Sequence, residues 1–410
     1  MRKVGKNRVA VLGGGVLGCC TALVLAQRGA RVTLFDRAAE LFSRTSIHNE
    51  GRIHFGYVYA GDPTLATAQT MIRGALSFGP FLEKHLDLMP QHFPLSSPTI
   101  YLVHANTQRS VDYLFGYFNA VHALIEDAVQ GQRSQYFGAD LHRAPRKWSS
   151  AELEQLFNPA RAIAAFDTQE VCIEPYSLAK AFRDRVAATP SIELRLCHTV
   201  KSVGGADARL WVISDGPHGV VRDHYDHVVN ALWDGRLAID TTFGISPKRP
   251  WLYRFRYGVR FETRNILKVP LSLTIIHGPF GGIACYRNGG MYLNWYPVCR
   301  VAYSKSPVPP DRPVYASDPE RSWIIRDTVS ALSKIIPVVG ALNEEELDGA
   351  SVIGGNIFAW ASSDTDDPTS ELHQRYDIGV VSAGNYHTVD PGKLSMAPHF
   401  AEVCADRILP

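Results

Sequence analysis

The chain has 410 residues, of which 46% are hydrophobic and 20% charged, and its formal net charge is +2. This balance is typical of a globular protein with a sizeable core, and the length suggests two domains or one large composite. The small net charge and the lack of a long basic run argue against a dedicated nucleic-acid surface. The seven cysteines are scattered and include no Cys-x-x-Cys pair, which argues against a zinc site or a disulfide framework and favours a reducing compartment.

The amino terminus resembles an export signal. A basic start, MRKVGKNR, precedes the apolar run VAVLGGGVLGCCTALVLA at residues 9–26, whose length approaches that of a membrane span. Three consecutive glycines at its centre weaken such a helix. The run also continues directly into GARVTLFDR, which is typical of the next strand of a fold. We therefore expect a cytoplasmic protein with no membrane partner.

Residues 9–36 carry a dinucleotide-binding fingerprint: a buried strand, the loop GGGVLG, a helix and a second strand that ends in an acid. Gly13 permits the tight turn, Gly15 lets a pyrophosphate approach the backbone, and Gly18 lets helix and strand pack closely. Asp36 lies 18 positions after Gly18 and is placed to accept hydrogen bonds from a ribose hydroxyl. The complete unit predicts that a dinucleotide binds here.

The segment after Asp36 bears on which dinucleotide is bound. A nicotinamide dehydrogenase normally continues there into its next β-α unit, but this chain continues into the polar segment RAAELFSRTSIHNEGRIHFGY. We expect a long extended loop that can follow the second half of a larger cofactor. A solvated surface loop is the alternative.

Further along the chain, apolar spacing predicts helices at 64–86, 110–129, 174–188 and 319–336. From 251 to 300 the residues alternate between apolar and polar, which predicts strands of an antiparallel sheet with a hairpin at Asn288-Gly289. The first region reads as parallel α/β and the second as antiparallel. We therefore predict an α/β protein with two interleaved domains.

Five stretches, taken in chain order, resemble the FAD-dependent amine oxidoreductases of the D-amino-acid oxidase, glycine oxidase and sarcosine oxidase type. They are VAVLGGGVLGCCTALVLAQRGARVTLFDR, SRTSIHNEGRI, EPYSLAKAF, VVNALWDG and DIGVVSAGNYHTVDPGKLSMAP. The resemblance implies FAD as cofactor and a discontinuous Rossmann-like FAD-binding domain, formed by residues 1–85, 160–240 and 350–410. A second α+β substrate domain, built on an antiparallel sheet, would comprise 86–159 and 241–349.

The resemblance also implies contacts to one FAD from both ends of the chain. The implied cofactor-binding residues are Gly13, Gly15, Val16, Leu17, Gly18, Asp36, Arg37, Arg44, Thr45, Ser46, Gly51, Val200, Ala231, Gly235, Gly384, Asn385, Gly392, Lys393 and Leu394. Residues 382–398, SAGNYHTVDPGKLSMAP, read as a glycine-punctuated loop that runs into a helix, and the resemblance implies that this loop meets the redox ring. A reduced flavin is negative at its pyrimidine end, where a helix N-terminus and Lys393 would stabilise it. Alternatively, Pro391-Gly392 merely begins a helix and Lys393 is solvated.

The implied reaction is hydride removal from a carbon that bears an amine or a hydroxyl, followed by reoxidation by oxygen or another acceptor. The substrate end departs from the family pattern. The family carries a carboxylate-binding arginine in a Gly-x-Arg-Pro-like stretch, where this chain has GGNIFAWASSDTDDPTSELHQR. Arg52, Arg256 or Arg287 can supply that clamp from elsewhere, and each can equally be a surface or ion-pair arginine.

The predicted catalytic residues are His54, His387, Tyr386 and Lys393, and the predicted substrate-binding residues are Arg52, Tyr286, Tyr296 and Asn356. We predict no metal site, because His48 and His54 lack a third ligand at a sensible spacing. The favoured partner is a small amine or an amino-acid-like substrate. A hydroxy acid or specialised metabolite on the same fold, and a non-catalytic flavin-binding protein, stay open as alternatives. The sequence makes no prediction of oligomeric state.

Overall fold

The computed structural model describes residues 7–130, 136–206, 209–262 and 270–410. Residues 1–6, most of the basic start MRKVGKNR of the signal-like segment, lie outside the described residues. The strands are β1 (Arg8–Leu12), β2 (Arg31–Phe35), β3 (Ile100–His104), β4 (Arg146–Lys147), β5 (Ala162–Asp167), β6 (Ile192–Arg195), β7 (Thr199–Ala206), β8 (Arg209–Gly216), β9 (Gly219–Tyr225), β10 (His227–Asn230), β11 (Leu252–Phe261), β12 (Leu273–Ile276), β13 (Gly281–Cys285), β14 (Met291–Trp295), β15 (Arg300–Ser304), β16 (Ser351–Ala359), β17 (Gly379–Ala383) and β18 (Tyr386–Asp390).

Helices connect and cover these strands. They are α1 (Val16–Gln27), α2 (Ala66–Phe81), α3 (Val111–Val129), α4 (Ser150–Leu156), α5 (Pro175–Ala187), α6 (Arg236–Thr242), α7 (Tyr296–Cys299), α8 (Glu320–Ser333), α9 (Glu344–Asp348) and α10 (Ala397–Ile408). The four helices predicted from apolar spacing are therefore present as α2, α3, α5 and α8. Ser110 caps α3 and Glu174 caps α5, because each side chain accepts hydrogen bonds from first-turn amides.

A six-stranded sheet has the order β17-β18-β10-β1-β2-β6, and all neighbours are parallel except the β17–β18 pair at one edge. Strands from both ends of the chain are thus close together, separated only by β10. Helices α1 and α10 pack against each other, and Arg28 at the end of α1 bonds Glu402 of α10 at 2.6 Å. In such a parallel sheet, ligands bind beyond the carboxyl ends of the strands.

The hairpin β17–β18 corrects the predicted terminal loop. Residues 379–390 form two paired strands, with Gly384 at the turn in a left-handed conformation, φ +57°. Because β18 runs parallel to β1, its first residue lies at the amino edge of the sheet, about 13 Å from the carboxyl edge. The part of this carboxy-terminal segment that lies at the ligand edge is therefore the loop after Asp390.

The second sheet, of nine strands, has the order β15-β11-β14-β13-β12-β3-β5-β4, with β16 paired along the other side of β11. The predicted hairpin joins β13 and β14, and Gly289 has φ +92°. Strands β5 and β16 belong to this sheet, although they lie inside ranges predicted for the cofactor domain. A separate three-stranded sheet, β7-β8-β9, packs on α6 through β7 and was not distinguished from the sequence.

Candidate active site

Three adjoining cavities extend from the carboxyl edge of the six-stranded sheet to the mainly antiparallel nine-stranded sheet. We call them the nucleotide, middle and polar cavities. The nucleotide and middle cavities share the lining residues Gly15, Thr45, Ser46, Ala231 and Trp233. The middle and polar cavities share Glu50, Arg52, His54, Arg256, Ile357 and Lys393. Because neighbouring cavities share walls, they form one continuous path.

The nucleotide cavity begins at the N-terminus of α1. Gly15 is the N-cap residue and supplies no capping side chain, while Ser46 Oγ accepts a 3.0 Å hydrogen bond from Val16 N–H. A Cβ on Gly15 would lie 2.7 Å from Ser46 Oγ, and one on Gly18 would lie 1.7 Å from Gly13 O. Glycine is therefore required for the loop and the helix to pack this closely. The first turn of α1 forms the kind of site that binds a phosphate.

Asp36 follows β2 and lines the same cavity. Its carboxylate accepts hydrogen bonds from Gly14 N–H at 2.7 Å and from Ala38 N–H at 2.8 Å, which fixes the glycine loop. Burial raises the pKa of Asp36, although these two hydrogen bonds oppose that effect. A carboxylate has about four acceptor positions, so two are left for ribose hydroxyls.

Two arginines give the nucleotide cavity a positive wall. Arg37 Nη2 lies 3.5 Å and Arg44 Nη2 lies 3.6 Å from Asp234 Oδ2. Asn356 Nδ2 donates a 3.0 Å hydrogen bond to the same oxygen. Two cations share one carboxylate here, so the surplus positive charge is available to a pyrophosphate.

The middle cavity has largely apolar walls and is where the two ends of the chain meet. Its apolar lining residues are Val16, Leu17, Ala231, Trp233, Ile357, Pro391 and Leu394. Trp233 has φ +53°, an uncommon conformation for a bulky residue, and its Nε1–H donates a 2.7 Å hydrogen bond to Asn356 O. Apolar walls of this kind suit a planar aromatic ring.

The loop after β18 is fixed on both sides. Gly392 N–H donates a 2.9 Å hydrogen bond to Asp390 Oδ1, and Gly392 has φ +61°, which favours glycine. Arg375 Nη1 donates to Gly392 O at 3.2 Å. Lys393 and Leu394 are thereby held at the wall of the middle cavity.

The polar cavity is strongly cationic. Five cationic side chains line it with one carboxylate, that of Glu50: Arg52, Arg254, Arg256, Arg375 and Lys393. Arg256 Nη2 lies 3.1 Å from Glu50 Oε2. Burial acts to raise the pKa of Glu50, but the positive charges of Arg256, Arg52 and Lys393 outweigh it and lower that pKa to about 2.

Lys393 lies at the boundary of the middle and polar cavities. No carboxylate of the described residues lies within 4 Å of its Nζ. Burial and the neighbouring charge of Arg375 lower the pKa of Lys393 to about 7, and Glu50 offsets only part of this effect. The ammonium is therefore held where positive charge is costly unless an anion binds.

His54 belongs to a buried network around Glu170. Tyr101 Oη donates a 2.6 Å hydrogen bond to Glu170 Oε1, and Phe55 N–H donates to Oε2 at 2.9 Å. His54 Nδ1 lies 3.4 Å from Glu170 Oε1, outside hydrogen-bond geometry. Burial lowers the pKa of His54, although Glu170 acts in the opposite direction. The ring is therefore neutral near pH 7, with a carboxylate beside it.

Arg375 is a residue that the sequence reasoning missed. Its guanidinium donates from Nε to Leu372 O and from Nη1 to Phe358 O and Gly392 O, at 3.1–3.2 Å. These bonds leave Nη2 of this cavity-lining residue for a ligand. Arg375 is the last residue of the stretch GGNIFAWASSDTDDPTSELHQR, in which no carboxylate-binding arginine was recognised. Its position in that stretch is the sequence signal that could have identified it as a candidate.

Most of the predicted site residues line the three cavities. They are Gly13, Gly15, Val16, Leu17, Asp36, Arg37, Arg44, Thr45, Ser46, Arg52, His54, Val200, Ala231, Gly235, Tyr296, Gly392, Lys393 and Leu394. Those that line none of them are Gly18, Gly51, Tyr286, Asn356, Gly384, Asn385, Tyr386 and His387. Gly18 acts through packing, as its place in the fingerprint predicts.

Tyr386 and His387 do not fit their predicted catalytic roles. Tyr386 Oη donates a 2.7 Å hydrogen bond to buried Asp240. His387 lies beside Ser382 and His227, with contacts of 2.8 and 3.2 Å. Both residues lie on β18, and the chain before them turns at the opposite edge of the sheet, which also takes Gly384 and Asn385 away from the cavities.

Three further predicted positions have structural roles. Gly51 has φ +67°, and its carbonyl accepts a hydrogen bond from Ile173 N–H. Tyr286 Oη donates to Glu50 O at 2.8 Å, so it supports the cavity wall from behind. Asn356 binds Asp234 next to the nucleotide cavity rather than a substrate. Arg287, offered as a possible carboxylate clamp, is exposed and lines none of the cavities.

The family model described as "DAO: FAD dependent oxidoreductase" matches residues 8–337, which is most of the chain. The chain belongs to the DAO family of FAD-dependent oxidoreductases. The predicted family, enzyme class and cofactor are thereby confirmed. As a DAO family member, the protein is an FAD-dependent enzyme with a parallel sheet and a separate antiparallel sheet, as its sequence predicts.

Solved structures with the same fold have low sequence identity to this DAO family member. L-alpha-glycerophosphate oxidase from Mycoplasma pneumoniae, with FAD bound, is 17% identical, with 99% of this chain and 95% of that chain covered and a TM-score of 0.66. Glycine oxidase from Geobacillus kaustophilus is 14% identical, with 98% and 94% covered and a TM-score of 0.67. Iminodiacetate oxidase from Chelativorans sp. BNC1 is 15% identical, with 98% and 95% covered and a TM-score of 0.66.

Within 7–130, 136–206, 209–262 and 270–410, no helix combines the length and apolar character needed to cross a membrane. The same ranges contain no group of three or more histidine, cysteine or acidic side chains placed to hold a metal ion.

Proposed function

We propose that this flavoenzyme oxidises a C–N bond of a small, anionic amine or amino-acid-like substrate, with reoxidation by oxygen or another acceptor. The observation that carries the proposal is the position of the polar cavity. It is cationic, and it shares Arg52, His54, Arg256 and Lys393 with the middle cavity. A substrate bound there has its reacting carbon directly beside whatever fills the middle cavity.

The residues present fit FAD along the path of the cavities. Gly13, Gly15 and Arg44 would hold the pyrophosphate, and Asp36 the adenosine ribose. The apolar middle cavity would take the ring, with Lys393 at its pyrimidine end. When bound, FAD accepts the hydride and passes the electrons on. The chain's own residues bind and orient the substrate, exclude water and hold the proton that the amine loses.

His54 is the best-placed acceptor for that proton. Its ring is neutral near pH 7 and lines both the middle and polar cavities. Once protonated, the ring has the carboxylate of Glu170 within 3.4 Å to stabilise the imidazolium. An amine must lose its proton before it can release a hydride, so a neutral base beside the reacting carbon favours this step.

A hydroxy-acid substrate is the second candidate. The same neutral His54 can accept a hydroxyl proton, and nothing in the described cavity wall selects nitrogen over oxygen. One structure of this fold is that of an L-alpha-glycerophosphate oxidase, and two others are those of a glycine oxidase and an iminodiacetate oxidase. The cavity therefore supports oxidation of an anionic substrate more directly than it supports the choice of bond.

Anaerobic flavin reduction tests the proposal. The holoenzyme is mixed with matched pairs that differ only in the reacting group, such as glycine and glycolate or aspartate and malate, and bleaching of the flavin bands is followed. Reduction by the amine of a pair supports C–N oxidation, and reduction by the hydroxy acid alone favours the second candidate. A holoenzyme that no amine or hydroxy acid reduces would contradict both and favour a non-catalytic flavin protein.

We also propose that the enzyme works in the cytoplasm. All seven cysteines are unpaired, and six of them are buried. Unpaired thiols are usual where the compartment is reducing. Recovery of the protein in the soluble reducing fraction of its native cells supports this location, and recovery in an exported fraction would contradict it.

A further inference from the structure

The far half of the polar cavity contains several polar atoms without hydrogen-bond partners. We call it the distal subsite and define it by Tyr59, Arg254, His277, Thr365 and His373, which line the polar but not the middle cavity. Among the described residues, one buried atom of each side chain has no partner: Tyr59 Oη, Arg254 Nε, His277 Nε2, Thr365 Oγ1 and His373 Nδ1. Buried polar atoms are normally satisfied, so a ligand or water is expected to meet them.

These side chains are held together by direct contacts. Gln108 Nε2 donates a 3.1 Å hydrogen bond to Thr365 O, which directs Gln108 Oε1 towards His277 Nδ1 at 3.2 Å. The rings of His277 and His373 stack with centroids 4.3 Å apart. Arg254 Nη1 and Thr365 N–H both donate to Asp364 Oδ1, at 2.9 and 2.7 Å. The subsite is therefore a built arrangement with fixed orientations.

Most of the unpartnered atoms belong to hydrogen-bond donors and therefore require an acceptor. The hydroxyls of Tyr59 and Thr365 and the Nε–H of Arg254 are donors. His277 carries its proton on Nδ1, because that atom faces the oxygen of Gln108. Burial and the charge of Arg109 lower the pKa of this ring to about 4, whereas a negative charge bound beside it acts in the opposite direction. Nε2 becomes a further donor once the ring is protonated. An oxyanion, with several acceptor positions and a negative charge, satisfies this set better than a neutral group.

The charges of the polar cavity also favour an anionic ligand. Arg254 is paired with Asp364, and Arg256 with Glu50. Arg375 binds only backbone carbonyls, and neither it nor Lys393 has a carboxylate of the described residues within 4 Å. Two lining cations are therefore left without counter-charge. One, Lys393, lies at the boundary with the middle cavity, and the other, Arg375, lines the polar cavity alone.

We propose that the substrate carries two oxyanion groups, one held near Lys393 and the second, a carboxylate or a phosphate, held by Thr365 and His277 of the distal subsite together with Arg375. This inference rests on the proposed function and narrows its substrate class to small dianions. It also places the reacting carbon between the two anionic groups, on the side of the first. A monoanionic amine would leave the donors of the distal subsite to water.

The test uses ligands that cannot be oxidised, so it does not depend on turnover. The oxidised holoenzyme is titrated with butyrate, succinate and 3-phosphonopropionate, and binding is followed by the change in the flavin absorbance. Succinate replaces the methyl group of butyrate with a carboxylate, and 3-phosphonopropionate replaces it with a phosphonate. We expect at least tenfold tighter binding of one or both dianions than of butyrate, and the stronger of the two identifies the second group as carboxylate or phosphate.

Two variants locate the effect. Thr365→Val removes a hydroxyl that has no partner in the protein, so the fold loses no hydrogen bond, and His277→Gln removes the ring. Both are expected to abolish the preference for the dianion while butyrate affinity stays within about twofold. His104→Gln is the matched control, because His104 is a buried histidine that lines none of the cavities.

Equal binding of butyrate and both dianions would overturn the inference, and so would a dianion preference that survives Thr365→Val. Should His277→Gln lose its flavin, Thr365→Val alone decides. These outcomes are separate from those of the flavin-reduction experiment. Reduction of the holoenzyme by amines without a dianion preference would support the proposed function and contradict only this inference. A dianion preference without reduction by any substrate would support the dianion site and contradict the proposed function.

Discussion

Replacing Lys393 with methionine tests the electrostatics of the cavity most directly. Burial and Arg375 lower the pKa of this ammonium from 10.5 to about 7 in the folded protein, while the unfolded chain keeps the ordinary value. Between these two pH values the unfolded chain binds one more proton than the folded chain. The unfolding free energy of the wild type therefore rises with pH across this window, by about 1.4 kcal/mol per pH unit at most.

The magnitude follows from the two pKa values. Between pH 7 and pH 9 the wild type should gain about 2 kcal/mol of unfolding free energy relative to Lys393→Met, because the folded lysine is half-protonated at the lower pH and neutral at the higher. Since the variant lacks the titrating group, every other pH effect cancels in the comparison. The unfolding free energy of the variant minus that of the wild type is thus expected to be larger at pH 7 than at pH 9.

Urea unfolding of the apoprotein at both pH values, followed by tryptophan fluorescence, measures this difference without a contribution from bound cofactor. Lys180→Met is the control, because Lys180 is exposed and its loss removes the same charge and chain length. A difference between wild type and Lys393→Met that is the same at pH 7 and pH 9 would refute the reasoning. Such a result would mean that the cavity does not destabilise the Lys393 cation, and the electrostatic argument that the cavity prefers anionic ligands would fail.

Three other predictions concern single contacts. Gly18→Ala places a methyl group 1.7 Å from Gly13 O and should weaken FAD binding at least tenfold in a fluorescence titration. Gly116→Ala is the control, because Gly116 faces open space on a helix, and this change should raise the unfolding free energy by about 1 kcal/mol. Arg375→Lys keeps the charge but loses the fork that binds carbonyls and ligand, so KM should rise about tenfold with kcat nearly unchanged; an unchanged KM would contradict this. Glu170→Gln should cost about 3–5 kcal/mol in urea unfolding, and a variant as stable as wild type would refute its role as buried counter-charge.

The local fold at the cofactor end could be predicted because its signals are local. The glycine loop, the following helix and the acid at Asp36 are fixed by short-range sterics and hydrogen bonds, such as the one from Gly14 N–H to Asp36. The order of the family motifs implied that the segments of Leu17 and Leu394 contact the same cofactor. Both residues line the middle cavity. Composition and periodicity alone contain no signal for such a contact across the whole chain.

The substrate end was predicted poorly because its geometry depends on strand pairing. The stretch around Tyr386 and His387 was interpreted as a loop at the ligand edge, but pairing of β18 with β10 and β17 takes it to the interior and the other edge. Arg375 was missed because its role arises from three backbone carbonyls that approach it in space. A short motif encodes neither the pairing of an edge strand nor the position of a single arginine in the folded protein.

The placement of β18 and its loop beside the first strands has a consequence for biosynthesis. During translation the fingerprint emerges well before Gly392 to Leu394, which complete the wall of the middle cavity. A nascent chain can therefore offer only part of the surface that encloses the prosthetic group. Tight capture of the flavin is therefore expected only after Gly392 to Leu394 have been synthesised, because a chain interrupted before them lacks part of the wall of the middle cavity.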